Sequence, residues 1–209
     1  MMLRIGLTGG IASGKSTVAA MLRDRDYPVL EADTLGHELL EPGQPAYAEI
    51  VRDFGPEILA PGGAIDRAKL GAIVFASAPK RARLNGILHP RILEVTRNWF
   101  SALDRPGGPD LAFSEAALII EAGFHKELDK IVVCWCRPEQ QVERLAARGL
   151  SLEQIRQRIA AQMSIDEKRK FADEVIDCSV SIEETERQTG VALERLLQPG
   201  QPKKDERAV

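Results

Sequence analysis

The stretch Gly9-Gly10-Ile11-Ala12-Ser13-Gly14-Lys15-Ser16 matches the P-loop pattern G-x-x-x-x-G-K-[ST] at every fixed position. Leu3 to Leu7 predict a short buried strand before it, and Ser16 to Arg25 predict a helix after it. In this setting the glycines let backbone N–H groups turn inward around a phosphate, and the helix N-terminus adds partial positive charge. The stretch therefore predicts a nucleoside triphosphate site, in preference to a glycine-rich turn with a chance Lys-Ser pair.

Two side chains of this loop have specific tasks in such a site. Lys15 can reach the terminal phosphates, and the Ser16 hydroxyl can ligate Mg²⁺.

The composition is that of an ordinary globular chain. It has 209 residues, of which 44% are hydrophobic and 28% charged, enough for one sizeable core. The net charge of −3 argues against a surface dominated by nucleic-acid contacts. No apolar run approaches membrane-spanning length, and no signal peptide is visible. We therefore expect a cytoplasmic protein with neither a nucleic-acid nor a membrane partner.

The cysteines and histidines do not form a disulfide framework or a metal site. The three cysteines are Cys134, Cys136 and Cys178, and the first two share one face of a predicted strand, where we expect them to be buried packing residues, with a redox or metal role as the alternative. The three histidines show no metal-ligand spacing. This cysteine usage favours a reducing compartment.

The predicted elements alternate between strand and helix, which indicates an α/β fold with a largely parallel sheet flanked by helices. Further strands are predicted at Tyr27 to Asp33, Leu111 to Glu115, Ile131 to Cys136 and Val175-Ile176. A mostly helical block from Thr34 to Leu103, broken at Pro42-Gly43, Pro61-Gly62-Gly63 and Ala78-Pro79, suggests a separate substrate-holding subdomain.

Capping residues predict where the helices begin. Asp66 is expected to cap a helix through Phe75, and Pro138 suits a first turn whose helix ends near Gly149. Later helices are predicted from a capping box of Ser151 with Gln154, running to about Met163, and from Ser181 with Glu184. From Gln198 the polar tail is expected to be disordered.

Two acidic residues at strand ends are candidates for the chemistry. Asp33 is predicted to end the second strand, on the edge where open α/β sheets bind ligands, and can orient and deprotonate an acceptor hydroxyl. Its alternative role is a helix N-cap. Glu115 ends the third strand and can contact Mg²⁺ through water, with an N-cap or a salt bridge as the alternative.

Charged residues after the fourth predicted strand form two groups. Arg144 and Arg148 are four apart, hence on one helical face, and with Arg156 and Arg158 they can close over ATP and stabilise phosphoryl charge. The alternative is an ordinary solvated helix, since glutamates are nearby. The mixed run from Asp166 to Lys170 is predicted to be a solvated helix face rather than a binding patch.

Several stretches along the chain together resemble one known family. They are Gly6 to Thr17, Glu31-Ala32-Asp33 with Pro42-Gly43, Phe54-Gly55, Ile65-Asp66-Arg67, Leu88-His89-Pro90-Arg91-Ile92, and the positions Gln141, Arg144, Arg148, Arg158, Gln162, Lys168 and Asp173. In this combination the chain resembles the dephospho-CoA kinases over about Leu3 to Asp177, a match far more specific than a P-loop alone.

The resemblance implies ATP-dependent phosphorylation of the ribose 3′-hydroxyl of dephospho-CoA, the last step of coenzyme A synthesis. It implies that Asp33 is the base and that the helical block with His89 and Pro90 receives dephospho-CoA. Arg144 and Arg148 would belong to a mobile lid. ATP would be held by Gly10, Ile11, Ala12, Ser13, Gly14, Lys15, Ser16 and Thr17.

These implications define a predicted domain plan. One P-loop kinase domain covers residues 1–197, with its core at 1–33, 111–136 and 172–197. A helical CoA-binding subdomain covers about 34–104, a helical lid covers about 138–165, and the tail is 198–209.

The chain departs from the family pattern at four places. Glu31 and His37 stand where the family often has Asp and Arg, and Ala117 to Glu121 lacks a usual proline. Cys178 stands where the family has Asn. Two other functions therefore stay open: another small-molecule P-loop kinase acting on a nucleoside or nucleotide, and a catalytically degenerate module that binds ATP or CoA.

Overall fold

The structure is a computed structural model that describes residues 2–198. Within that range the chain divides into two compact units, one made of residues 2–31 and 98–198 and the other of residues 32–97. The predicted disorder of the tail concerns residues that, apart from Gln198, lie outside the described range.

The elements alternate as the sequence predicts. In chain order they are β1 (Leu3–Gly9), α1 (Lys15–Arg23), β2 (Val29–Glu31), α2 (Ala32–Glu38), α3 (Pro45–Phe54), α4 (Arg67–Ala76), α5 (Ala78–Leu103), β3 (Leu111–Glu115), β4 (Lys130–Trp135), α6 (Pro138–Ala146), α7 (Leu152–Ala160), α8 (Ile165–Arg169), β5 (Glu174–Asp177) and α9 (Ile182–Leu197). Short 3₁₀ turns lie at Pro56–Ile58 and Phe124–Glu127.

The first unit is built on one sheet with the strand order β2-β3-β1-β4-β5. All of its neighbouring strands are parallel, and the central strand β1 pairs Ile5 with Phe113 on one side and with Lys130 on the other. The α/β fold class with a parallel sheet is therefore confirmed. Parallel strands place their carboxyl ends at one edge, so the residues after β1, β3 and β4 gather there.

The core of this unit explains why β1 is almost wholly apolar. Ile5 and Leu7 are fully buried, since helices cover a parallel sheet on both faces. Their cluster includes Val18 and Leu22 of α1 and Leu193 of α9. This packing holds the first turn of α1 directly behind the end of β1, which is where the phosphate loop must be.

The second unit is helical and has its own core. Ile50, Phe54, Leu70, Val74 and Ile87 are buried together. Asp66 accepts hydrogen bonds from the backbone N–H groups of Ala68 and Lys69, so the predicted cap of α4 is confirmed.

Two predicted boundaries are wrong, for physical reasons. β2 ends at Glu31 rather than at Asp33, because its partner strand β3 ends at Glu115. Asp33 lies in the first turn of α2 instead. The helix expected to run to Met163 ends at Ala160, because Ser164 caps a new helix. The helix expected to end near Gly149 has Ala146 as its last residue, and Gly149, with φ +83°, lies in the turn that ends it, so its predicted place is confirmed.

Within residues 2–198, no helix combines the length and the hydropathy that crossing a membrane requires.

Candidate active site

The phosphate loop connects β1 to α1 within a few residues of tightly constrained backbone. Gly14 has φ +103°, and Ala12, a residue with a side chain, has φ +59°. A Cβ atom on Gly14 would lie 2.7 Å from the Cβ of Cys178 and 2.9 Å from its Sγ. Glycine is therefore required at position 14 for two reasons. The backbone is left-handed there, and Cys178, the residue that follows β5, lies too close for a side chain.

A buried carboxylate joins the two side chains that the sequence assigns to the triphosphate. Oε1 of Glu115, at the end of β3, lies 2.7 Å from Nζ of Lys15 and accepts a 3.0 Å hydrogen bond from Oγ of Ser16. Glu115 is only 3% exposed. The guanidinium of Arg23 lies 3.9 Å from the other carboxylate oxygen. Three predicted site residues, Lys15, Ser16 and Glu115, thus form one cluster.

This cluster offers hard oxygen donors to a divalent cation. The Ser16 hydroxyl and the Glu115 carboxylate are 3.0 Å apart. Mg²⁺ is commonly held by one or two such protein oxygens together with water and substrate phosphates, not by a complete cage of side chains. Among the described residues no group of three or more His, Cys, Asp or Glu residues is suited to a metal ion. The donor set therefore fits Mg²⁺ bound together with a triphosphate.

Side chains from α6 and from the α7–α8 connection hold the backbone of the loop. Gln141 donates to the carbonyl of Ile11 at 2.6 Å, and the Ile11 N–H donates to Oε1 of Gln162 at 2.9 Å. Arg144 bridges two carbonyls, donating to Ala12 at 3.0 Å and to Cys178 at 2.7 Å. In this structure Arg144 therefore contacts the loop itself.

Gln141 and Gln162 are contacts that reasoning from the residues alone did not assign. Both stand among the positions of the family resemblance, and Gln141 is 5% exposed on a helix that also carries Glu139 and Glu143. A glutamine at a predicted buried position is the one signal in the sequence that points to such a contact.

Arg148 is not on the same helical face as Arg144, so that expectation is wrong. α6 ends at Ala146, and Arg148 is an exposed residue in the following turn. Arg156 and Arg158 lie on α7, as expected. A role for Arg148 at the phosphates stays a prediction.

The three cysteines are free and buried, as expected for Cys134 and Cys136. Burial raises the pKa of the Cys134 thiol well above its ordinary value. A hydrogen bond with Cys134 lowers the pKa of Cys178, which packs against Gly14. Cys178 is therefore part of the wall of the phosphate loop.

In the second unit, Asp33 belongs to a small polar group on α2. Asp33 is exposed, and His37 follows one turn later. A nitrogen of the Arg67 guanidinium lies 2.7 Å from Nε2 of His37. Burial and the charge of Arg67 lower the pKa of His37, while the Asp33 carboxylate opposes them.

His89 and Pro90 lie inside α5, where His89 is half-buried and Pro90 exposed. Pro90 has no N–H for the helix ladder, yet the helix continues through it to Leu103. Their role in receiving a substrate stays a prediction.

Comparison with known proteins gives one consistent result. A family model described as dephospho-CoA kinase matches residues 3–184. A dephospho-CoA kinase of Anaeromyxobacter dehalogenans is 48% identical over 174 residues, 83% of this chain and 82% of that protein. One of Symbiobacterium thermophilum is 44% identical over 189 residues, 90% of this chain and 79% of that protein.

A solved structure shares the fold of this chain. The crystal structure of TT1252 from Thermus thermophilus is 35% identical, with a TM-score of 0.77 over 94% of this chain and 99% of that one. With the phosphate loop, the parallel sheet and the Lys15–Glu115 cluster in place, this chain belongs to the dephospho-CoA kinase family.

Proposed function

We propose that this kinase transfers the γ-phosphoryl group of ATP to the ribose 3′-hydroxyl of dephospho-CoA, yielding coenzyme A and ADP. The observation that carries the proposal is the cluster of Lys15, Ser16 and Glu115 behind a phosphate loop, in a chain of this family. That cluster supplies positive charge and oxygen ligands where a triphosphate would end, which is most of what phosphoryl transfer requires of a protein.

In the proposed step, the 3′-oxygen forms a bond to the γ-phosphorus while the bond from that phosphorus to the β–γ bridging oxygen breaks. The hydroxyl proton passes to the carboxylate of Asp33, and the leaving ADP keeps the bonding electron pair. Asp33 suits this role because it is an exposed carboxylate two residues after the end of β2. In-line transfer depends mainly on such positioning.

Charge neutralisation would fall to the first unit. The loop from Gly10 to Thr17, through backbone N–H groups other than that of Ile11, and the ammonium of Lys15 would hold the phosphates. Mg²⁺, held by Ser16 and by Glu115 directly or through water, would neutralise charge on the phosphate oxygens. We assign Arg144 and Arg148 to a lid that excludes water, and the second unit, including His89 and Pro90, to the CoA portion of the substrate.

We also propose a cytoplasmic location. It is supported by the three free thiols of the chain, which a reducing compartment maintains.

The test is a turnover assay with a matched pair of variants. Purified protein is incubated with ATP, Mg²⁺ and dephospho-CoA, and mass spectrometry measures the added phosphate. Asp33→Asn is expected to lower turnover by about 10²–10⁴-fold, because a positioned general base supplies a factor of that size. ATP affinity, measured by calorimetry, should stay close to that of the wild type. Asp110→Asn, at an exposed position of the first unit, is the control.

The opposite outcomes are equally informative. Phosphorylation of nucleosides with none of dephospho-CoA would replace the proposed acceptor, and tight ATP binding with no turnover of either would indicate a degenerate binding module. Near wild-type turnover of Asp33→Asn would remove Asp33 as the base.

A further inference from the structure

Lys168 is the one residue of its charged run that is withdrawn from solvent. The run from Asp166 to Lys170 is predicted above to be solvated, and four of its five residues are exposed. Lys168 is 0% exposed, so for this residue the prediction is wrong. An ammonium is costly to bury unless acceptors surround it, so its position calls for a physical reason.

Three acceptors surround the ammonium, and all come from the segment that follows Glu115 and β3. Nζ of Lys168 donates to the carbonyl of Ala117 at 2.5 Å, and to the two carboxylate oxygens of Glu121 at 2.8 and 2.9 Å. The Lys168 side chain thus holds the two ends of the segment 117–121 together. An apolar residue of similar size would fill the space but hold neither group.

Ala117 and Glu121 each accept a further hydrogen bond from a residue near the phosphate loop. The Ala117 carbonyl accepts a second hydrogen bond, 3.3 Å long, from the hydroxyl of Thr8, the residue before Gly9. Oε1 of Glu121 accepts a 2.9 Å hydrogen bond from the N–H of Met163. Lys168 therefore joins the end of β1 to the connection between α7 and α8.

Gln162, the residue before Met163 in that connection, contacts the phosphate loop directly. Oε1 of Gln162 accepts the hydrogen bond from the N–H of Ile11. The hydrogen bonds among Lys168, Glu121 and Met163 thus hold the backbone next to Gln162 in place, and this positions the Gln162 side chain against the loop. The polar path from Lys168 to Ile11 is continuous and lies wholly within the first unit.

We propose that Lys168 is a positioning residue of the kinase. By holding Glu121 and Ala117 in place, it keeps the α7–α8 connection in the position from which Gln162 hydrogen-bonds to the phosphate loop. Lys168 touches no reacting atom in this scheme and acts through Gln162 and the loop. The inference rests on the proposed function for its kinetic consequence, but not for its structural one.

The decisive variant is Lys168→Met, which keeps the length of the side chain and removes the ammonium. Its matched control is Lys170→Met, the same change at an exposed lysine two residues away. α8 keeps other anchors in the variant, namely the Ser164 cap and a 2.9 Å hydrogen bond from Trp135 to Asp166. Amide exchange and kinetics are measured at a temperature well below the thermal midpoint of the variant.

We expect hydrogen exchange at the amides of Ile11 and Met163 to accelerate by about tenfold or more in Lys168→Met, because both hydrogen bonds depend on the path. We expect kcat per ATP-binding molecule to fall by about tenfold to a hundredfold, since a small misplacement near reacting groups has an effect of that size. Lys170→Met should change neither quantity.

Should Lys168→Met fail to fold, Glu121→Met provides the same test, because it removes the oxygens that accept from Lys168 and from the Met163 N–H while leaving the Ala117 carbonyl to the ammonium. Wild-type exchange at Ile11 in the folded variant would overturn the proposal. So would an unchanged kcat per ATP-binding molecule with a lowered thermal midpoint, which marks a purely structural lysine. Exchange needs no turnover, so an inactive wild type would refute the proposed function and leave this inference standing on the exchange result.

Discussion

Oε1 of Glu115 lies 2.7 Å from Nζ of Lys15 and 3.0 Å from Oγ of Ser16, so one carboxylate organises both functional side chains of the phosphate loop. The sheet brings them together. Leu7 of β1 pairs with Glu115 of β3, and the chain then reaches Lys15 through the loop. The carboxylate holds the lysine in place, and the residues of this cluster are candidates for substitution.

Glu115→Gln tests whether the carboxylate serves the metal. The amide keeps the shape and an acceptor oxygen but loses the charge. We expect kcat to fall by about 10–100-fold and the Mg²⁺ concentration for half-maximal rate to rise, as for other residues that support a metal site. Titration of the rate with Mg²⁺ is the measurement. Glu186→Gln, in a surface ion pair with Arg25, is the control. An unchanged Mg²⁺ dependence would restrict Glu115 to holding Lys15.

Gly14→Ala tests the close approach of the loop to Cys178. A Cβ atom would lie 2.7 Å from that of Cys178, and the backbone φ of +103° is strained for any residue with a side chain, by about 1–3 kcal/mol. We expect ATP binding to be lost and the thermal midpoint to drop. Gly190→Ala is the control, because α9 leaves open space at that position and alanine favours helix, so the midpoint should rise. Wild-type ATP affinity in Gly14→Ala would contradict the prediction.

Arg144→Lys tests the bridge between the loop and the end of β5. The planar guanidinium donates to Ala12 and Cys178 at once, whereas an ammonium is a single point charge without that fixed fork. We expect kcat/KM for ATP to fall by about tenfold, which corresponds to about 1.4 kcal/mol. Arg195→Lys, in an exposed pair with Glu174, should leave kcat/KM unchanged. Equal values for the two variants would show that charge alone suffices at position 144.

His37 makes the stability of the second unit depend on pH. Burial and Arg67 lower its pKa in the folded chain below the ordinary value of 6.5, so folding favours the neutral ring. The stabilising contribution is therefore complete above the unfolded pKa and is lost as pH falls through the folded one. We expect the thermal midpoint to drop between pH 7.5 and pH 5 by more in the wild type than in His37→Gln. A larger drop in the variant would reverse the assignment.

The local pattern of the sequence was sufficient for the elements that depend on local rules. The strand Leu111–Glu115 was predicted with its observed bounds, and the caps Asp66, Ser151 and Ser181 were placed correctly. Caps and apolar runs act on their immediate neighbours, and so a single sequence reveals them. The resemblance to the family likewise depends on short motifs, and the comparisons confirm it.

Two predictions failed because a distant partner decided the outcome. β2 stops at Glu31 because β3, far along the chain, offers no further partner. Lys168 is buried because Glu121 and Ala117 accept its hydrogen bonds from 47 and 51 residues away. The composition of a charged run does not show whether all of its residues are exposed to solvent or one of them is buried.

The sequence by itself determined that this chain carries a phosphate loop in an α/β kinase fold, because the motif and its flanking strand and helix are contiguous. Only the tertiary structure decided which side chains meet that loop. Glu115, Gln141, Arg144, Gln162 and Cys178 lie between about 100 and 165 residues beyond it, and they converge there because parallel strands end at one edge of the sheet. Spatial convergence of this kind depends on strand order and register, which no local stretch of sequence encodes.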